Sequence, residues 1–177
     1  KDKMMTKEKL IDLILNDKEA FIVRHNDNND IDLSESDLSH CNICDIDFTN
    51  IDFSQTSFAE ATLSNVKFID CDLTGADFSR VQLVECDFSG ALLNSASFNY
   101  SSVTYCNFSD SDMSGANFCE ADLSTSDFST SENLESTRFD EGTIWPETEK
   151  LPEDFDCTYN YDLSSLREDE ENGNEIY

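Results

Sequence analysis

From Leu33 to Phe128 every fifth residue is Leu, Ile, Val, Met or Phe, twenty positions in succession. Neither the 3.6-residue period of a helix nor the two-residue period of a strand generates that register. Two residues before each large residue stands a second class, Ile31, Ser36, Cys41, Ile46, Ile51, Thr56, Ala61 and onward, small or β-branched and mostly uncharged. A polar residue, often Asp, separates the two classes, and Ser, Thr, Asn or Gly follows the large one. Inward positions are thus spaced two, three, two, three. The spacing of two places both residues on one face of a short extended segment, and the extra residue makes a corner. Such a unit cannot bury its apolar face alone, so the chain has to coil and stack wall upon wall.

From Leu63 the large residues alternate between aliphatic and Phe, as Leu63, Phe68, Leu73, Phe78, Leu83, Phe88 and so on to Phe128. Keeping aromatics above aromatics requires an even number of walls. Two walls enclose no interior, so four is the simplest solution, a square coil of twenty residues. Phe48, Phe68, Phe88, Phe108 and Phe128 then form one column, opposed by Phe58, Phe78, Phe98 and Phe118. Five coils rising about 4.8 Å each make a rod roughly 24 Å tall.

The units Ala76-Asp-Phe-Ser-Arg80, Cys86-Asp-Phe-Ser-Gly90, Ala116-Asn-Phe-Cys-Glu120 and Ala121-Asp-Leu-Ser-Thr125 resemble the A(D/N)LXX consensus of pentapeptide repeat proteins, over about residues 31 to 144. The resemblance implies an all-β solenoid, a right-handed quadrilateral β-helix with an N-terminal α-helical cap.

Three segments are expected. Residues 1–30 form the helical cap, 31–145 the β-helix of about five to six coils, and 146–177 a C-terminal capping segment with a frayed acidic tail. In the cap, Leu10, Leu13, Ile14 and Phe21 share one helical face, and Asn16 with Glu19 reads as a capping box that restarts the helix. After Phe128 the register slips by one residue and resumes at Leu134, Phe139 and Ile144, a corner bulge. Trp145-Pro146 and Pro152 end the repeat, and Phe155 and Leu163 fold back over the last coil.

Lys and Arg number 11 against 39 Asp and Glu, a formal charge of −28. That balance speaks against direct nucleic-acid or anionic-membrane binding, which needs basic patches, and points to basic partners. No stretch approaches the length of a membrane span, and no secretory leader opens the sequence. Seven cysteines without a disulfide-framework spacing are expected to be reduced, in a cytoplasmic protein.

No phosphate-binding glycine loop or nucleophile motif is present, and neither His25 nor His40 has an evident nucleophile beside it, so no catalytic residue and no cofactor is expected. The only local metal-like spacing is His40-Cys41-Asn-Ile-Cys44. The five-residue register turns Cys41 inward and Cys44 to a corner, so no metal site is assigned. Cys86 and Cys106 are twenty residues apart, hence stacked neighbours in one inward column of close-packed thiols.

The acids are distributed with a side. Between residues 31 and 130 there are 17 acids against Lys67 and Arg80. The outward position of one wall reads Asp32, Asp52, Asp72, Leu92 and Asp112. The corner leading into it adds Asp70 and Asp110, and the preceding wall adds Asp47, Asp87 and Asp127. The opposite wall, Asn42, Thr62, Gln82, Ser102 and Asp122, carries far less charge. These nine aspartates are the candidate partner-binding residues. They either solubilise the rod while satisfying the repeat, or imitate the phosphates of duplex DNA toward a basic groove. Within the family it resembles, quinolone-resistance proteins and a mycobacterial relative are B-form DNA mimics that bind DNA gyrase. The sequence shows no long loop inserted between coils, only the slip near Ser131, and such loops carry much of that group's protective activity, so protection of gyrase is not expected; the tail also shows no obvious long dimerising helix. The partner reading is a basic, nucleic-acid-handling protein such as gyrase or a defence nuclease. The alternative is a rigid interaction scaffold using the neutral wall, Tyr100 and Tyr105, or a cap.

Overall fold

The computed structural model describes residues 5–27 and 31–158. Backbone pairing advances by twenty residues per coil throughout the regular region. Asp32 bridges Asp52, Asp52 bridges Asp72, Ser57 bridges Asp77, Lys67 bridges Asp87, and so on, always in parallel. Among the described residues the regular strands form a four-stranded parallel sheet, β1 (Asn42–Asp47), β2 (Thr62–Lys67), β3 (Gln82–Val84) and β4 (Ser102–Thr104), stacked in chain order, with β1 and β2 running on through a corner into the next wall. The fold is a β-solenoid.

Each coil-to-coil link uses the outward residue in both directions. Asp52 donates its N–H to Ile31 O at 3.2 Å, and its carbonyl accepts from Leu33 N at 2.7 Å. Corners are equally regular. From Glu35 to Glu120 every fifth residue has φ between +53° and +68°. A turn such as Phe48–Ile51, closed by Ile51 N→Phe48 O at 3.1 Å, needs that conformation at its third position. For a non-glycine residue it costs about 1–2 kcal/mol. The loss is offset because the corner N–H reaches the next coil, as in Glu35 N→Ser54 O at 2.8 Å. Gly75 and Gly90 relieve two corners where a Cβ would run into the side chains of Gln55 and Asp70 from the coil before.

All twenty large repeat residues are buried, and two Phe columns run through the core. Within a column, neighbours from Phe58 onward stack nearly parallel, as in Phe58–Phe78 (4.9 Å, 3°) and Phe108–Phe128 (4.5 Å, 9°), while Phe48 is tilted by 42° to Phe68. Between columns they meet edge to face, as in Phe78–Phe88 (5.7 Å, 86°). Both geometries suit the aromatic quadrupole and add about 0.5–1.5 kcal/mol per pair beyond burial. Most polar residues in the small inward class reach a backbone carbonyl, for example Ser111 Oγ→Phe108 O at 2.7 Å and Ser126 Oγ→Val103 O at 2.9 Å, whereas the buried hydroxyls of Ser36 and Ser101 have no partner among the described residues.

Two helices close the first coil, α1 (Lys7–Asn16) and α2 (Lys18–Asp27). Leu10, Ile14 and Phe21 are buried, and Phe21 extends the Phe48 column edge to face at 5.6 Å. The expected restart of the helix is displaced by one residue. Asp17, not Asn16, caps α2, accepting Ala20 N–H at 3.1 Å, while Asn16 turns back to Asp12 at 2.8 Å.

The far end departs further from the expected single slip. The pairing offset is twenty at Asp112–Glu132, twenty-one at Asn117–Arg138 and twenty-two at Asp122–Ile144. One residue is absorbed in a 3-10 turn at Leu134–Ser136 and another in the turn around Asp140–Thr143. Ile144 therefore takes an outward position, 54% exposed, instead of resuming the core. Trp145 covers the aromatic columns, touching Phe118, Phe128, Phe139 and Phe155 at ring separations of 5.0–5.8 Å. Phe155 thus folds back as expected. Leu163 and the acidic tail lie outside the described residues.

Candidate interaction surface

The acidic wall is assembled as its spacing implies. Asp32, Asp52, Asp72, Leu92, Asp112 and Glu132 are consecutive bridged partners on adjacent rungs, separated by about 4.8 Å. Leu92 interrupts the row and is 45% exposed. Asp47, Lys67, Asp87, Asn107 and Asp127 make the neighbouring row. Asp70 and Asp110 stand at left-handed corners between the two, φ 54° and 57°. All nine candidate aspartates thus belong to two adjoining walls and their shared corner.

The sequence reading missed a second task of these carboxylates. Asp52 Oδ1 accepts both the N–H of Ser54 at 2.9 Å and its hydroxyl at 2.7 Å. Asp32 with Ser34, Asp47 with Thr49 and Asp112 with Ser114 repeat both contacts, while Asp72, Asp87 and Asp127 accept the backbone N–H two residues on. These are Asx turns, which pin the corner that follows each wall. The signal was legible as Asp-x-Ser/Thr, repeated at 32–34, 47–49, 52–54, 72–74, 87–89, 112–114 and 127–129.

Several carboxylates are further engaged. Lys7 reaches Asp32 at 3.1 Å and Lys67 reaches Asp47 at 3.8 Å, both across exposed surface where an ion pair contributes little. At Asp112 burial works to raise the pKa, but hydrogen bonds from Asn133, Ser114 and Asn94 outweigh it and hold the carboxyl well below the usual range. Asp47 is lowered in the same way, its burial overcome by the Thr49 hydroxyl and amide and by Lys67. Asp32 is lowered by Ser34 and Lys7.

The near-neutral wall lies within the regular sheet, where Asn42, Thr62, Gln82 and Ser102 are in register. Its two corners carry Tyr100 and Tyr105, the latter 64% exposed, and Arg80 lies 4.9 Å over the Tyr100 ring. A cavity of about 510 Å³ opens between α2 and the first two coils, lined by His25, Asp45, Asp47, Asn50, Asn65 and Lys67 among others. Its charges are internally paired, Asn65 with Asp45 at 2.9 Å and Lys67 with Asp47. Cys41 is half-buried and Cys44 exposed. Among the described residues no group of three or more potential ligands could hold a metal ion, and no helix is long and apolar enough to cross a membrane.

The family model for pentapeptide repeat regions matches residues 28–98, and that for pentapeptide repeats matches residues 91–130 in eight copies. The chain belongs to the pentapeptide repeat family. Among solved structures, it is similar to the pentapeptide repeat protein Rfr23 of the cyanobacterium Cyanothece 51142, with 17% identity, 70% of this chain and 96% of that chain covered, and a TM-score of 0.40. A pentapeptide repeat protein of the Arabidopsis thaliana thylakoid lumen shows 31% identity over 55% of this chain and 67% of its own, with a TM-score of 0.33. A trypsin-treated form of QnrB1, a plasmid-mediated fluoroquinolone resistance protein, shows 15% identity over 64% and 74%, with a TM-score of 0.39. No curated protein matches the sequence.

Proposed function

We propose that this pentapeptide repeat protein is a non-enzymatic, acidic binding protein of the cytoplasm that occupies the basic groove of a nucleic-acid-handling partner. The observation that carries the reading is the in-register row Asp32, Asp52, Asp72, Asp112, flanked by Asp47, Asp87 and Asp127 and by the corner residues Asp70 and Asp110. We further take the coil as right-handed and square in section, which makes the acidic walls two adjacent faces of a straight rod. A groove built for DNA backbone, in DNA gyrase or a defence nuclease, attracts such a row by the same long-range field that draws in phosphates. The Asx turns support this use, because they fix each carboxylate through Oδ1 and so preorganise the row.

Affinity capture on the immobilised protein, at low and high salt and with duplex DNA as competitor, tests the proposal, with a gyrase supercoiling assay beside it. Capture of a DNA-binding protein that is lost at high salt and displaced by duplex DNA is expected. Capture indifferent to salt, or of partners without a DNA-binding groove, rejects it. The scaffold alternative rests on Tyr100, Tyr105 and Val84, exposed on and beside the neutral sheet. Capture that survives charge reversal at Asp52, Asp72 and Asp112 but is lost in Tyr100→Ala/Tyr105→Ala favours it.

A further inference from the structure

Of the seven cysteines, only Cys86 and Cys106 are separated by one coil repeat. The bridge Asp87–Asn107 and the bond Asn107 N→Cys86 O at 3.0 Å set the two residues directly over one another on adjacent rungs. Each thiol donates to a backbone carbonyl, Cys86 to Leu63 O at 3.5 Å and Val84 O at 3.6 Å and Cys106 to Thr104 O at 3.5 Å, and both residues are buried. The remaining members of the column are Ile46, Val66 and Ser126, so no third thiol competes for either sulfur. Cys71, in a different column, stacks between Ile51 and Ala91 and donates to Phe48 O at 3.0 Å. Paired rungs are about 4.8 Å apart, inside the roughly 4.4–6.8 Å range of Cα separations that a disulfide spans.

We propose that Cys86 and Cys106 are a disulfide-forming pair that joins the third and fourth coils when the chain meets a low-molecular-weight disulfide oxidant. One thiolate attacks a sulfur of oxidised glutathione, forming a mixed disulfide and releasing one glutathione thiolate. The other thiolate then attacks the protein sulfur of that mixed disulfide, forming the Cys86–Cys106 bond and releasing the second. The protein loses two thiol protons and two electrons, and one oxidised glutathione becomes two reduced molecules. Both thiols are sealed inside the core, so in the closed fold a glutathione molecule cannot reach them and the exchange waits on opening of the coil or on folding itself. Once made, the bond closes one coil into a covalent ring, so the third and fourth coils can no longer separate.

The test uses the full chain with the four accessible cysteines, Cys41, Cys44, Cys119 and Cys157, replaced by Ser. It is refolded from urea in a buffer rich in oxidised glutathione, where access to the thiols does not limit the outcome. After acid quenching, denaturation and alkylation, we expect a mass lower by two hydrogens, alkylation at Cys71 alone, and an Asp-N peptide pair linked through Cys86 and Cys106. Trypsin is unsuitable, because no Lys or Arg lies between Arg80 and Arg138. The oxidised form should unfold at a higher urea midpoint, and Cys106→Ser should abolish both the mass change and the shift. Natively folded protein, warmed to near its unfolding midpoint in the same buffer, serves if refolding fails. Recovery of folded protein with all three thiols alkylated, a link involving Cys71, or stable glutathione adducts on both residues overturns the proposal.

Discussion

The imidazole of His25 donates through Nε2 to the carbonyl of Thr49 across 2.8 Å. The equivalent carbonyl one coil later, Ile69 O, accepts the corner N–H of Asn50, so Thr49 O is an acceptor left open because no coil precedes the first. Lys7 Nζ to Ser34 O at 2.7 Å and Lys18 Nζ to Cys44 O at 3.3 Å serve two more of the four corner carbonyls in the same way. The cap helices thus end the stack with side-chain donors in place of backbone N–H groups, which blunts an edge that would otherwise invite another strand.

Replacing His25 by Leu should therefore destabilise the first coil. The lost hydrogen bond, with a partly buried carbonyl left open, amounts to about 1 kcal/mol. Because solenoid stability is carried by nearest neighbours, hydrogen exchange should rise in β1 and leave β4 unchanged. Equal deprotection along the whole rod would contradict this.

Phe88 lies mid-column between Phe68 and Phe108, at 5.0 and 4.9 Å, and edge to face with Phe78 and Phe98. Phe88→Ala should cost about 3–5 kcal/mol, since neighbouring rungs pinned by their ladders cannot collapse into the hole. Phe88→Leu should cost far less, Leu being the residue that fills the alternate walls. Urea midpoints of the two variants measure the difference.

The five-residue register made the twenty-residue coil, the two Phe columns and the grouping of the nine aspartates legible, because side-chain size repeats with the backbone. The ends were harder. Ile144 and Trp145 are both large and apolar, and only the extra residue taken up around Asp140–Thr143 decides which one enters the core. Likewise Asn16 and Asp17 are both good N-caps, and the choice of Asp17 reflects how α2 must turn to lay Phe21 on Phe48. Asp52 and its equivalents read as surface charge. Their Oδ1 contacts to Ser and Thr two residues later belong to turn chemistry, which periodicity does not report.

That double use of Asp separates two variants. Asp52→Asn, Asp72→Asn and Asp112→Asn together keep an acceptor oxygen for the turn N–H and remove three charges from one row. The triple variant should fold and lose only the stability that the Asp112 carboxylate adds at neutral pH, while partner capture weakens and its salt dependence flattens. The corresponding Ala variant should lose stability as well, by about 0.5–1.5 kcal/mol for each hydrogen bond removed. If Asn substitution leaves capture intact, the carboxylates serve the turns and the solubility of the rod alone.

Asp112 gives the pH response its sign. Its carboxyl is held below the ordinary value, so the unfolded chain binds a proton more readily than the folded one, and stability rises with pH across the interval between the two values. The contribution is complete above the unfolded value, about pH 4, and is lost as pH falls from there toward the folded value. Asp32, Asp37 and Asp47 are lowered as well and add to the same slope. The rod should accordingly keep a constant urea midpoint down to about pH 5 and then weaken steadily. Asp112→Asn, which cannot titrate, should show a shallower fall over that acid interval and no change of slope near neutrality. An acid transition as steep in the variant as in the wild type would place the linkage on other carboxylates.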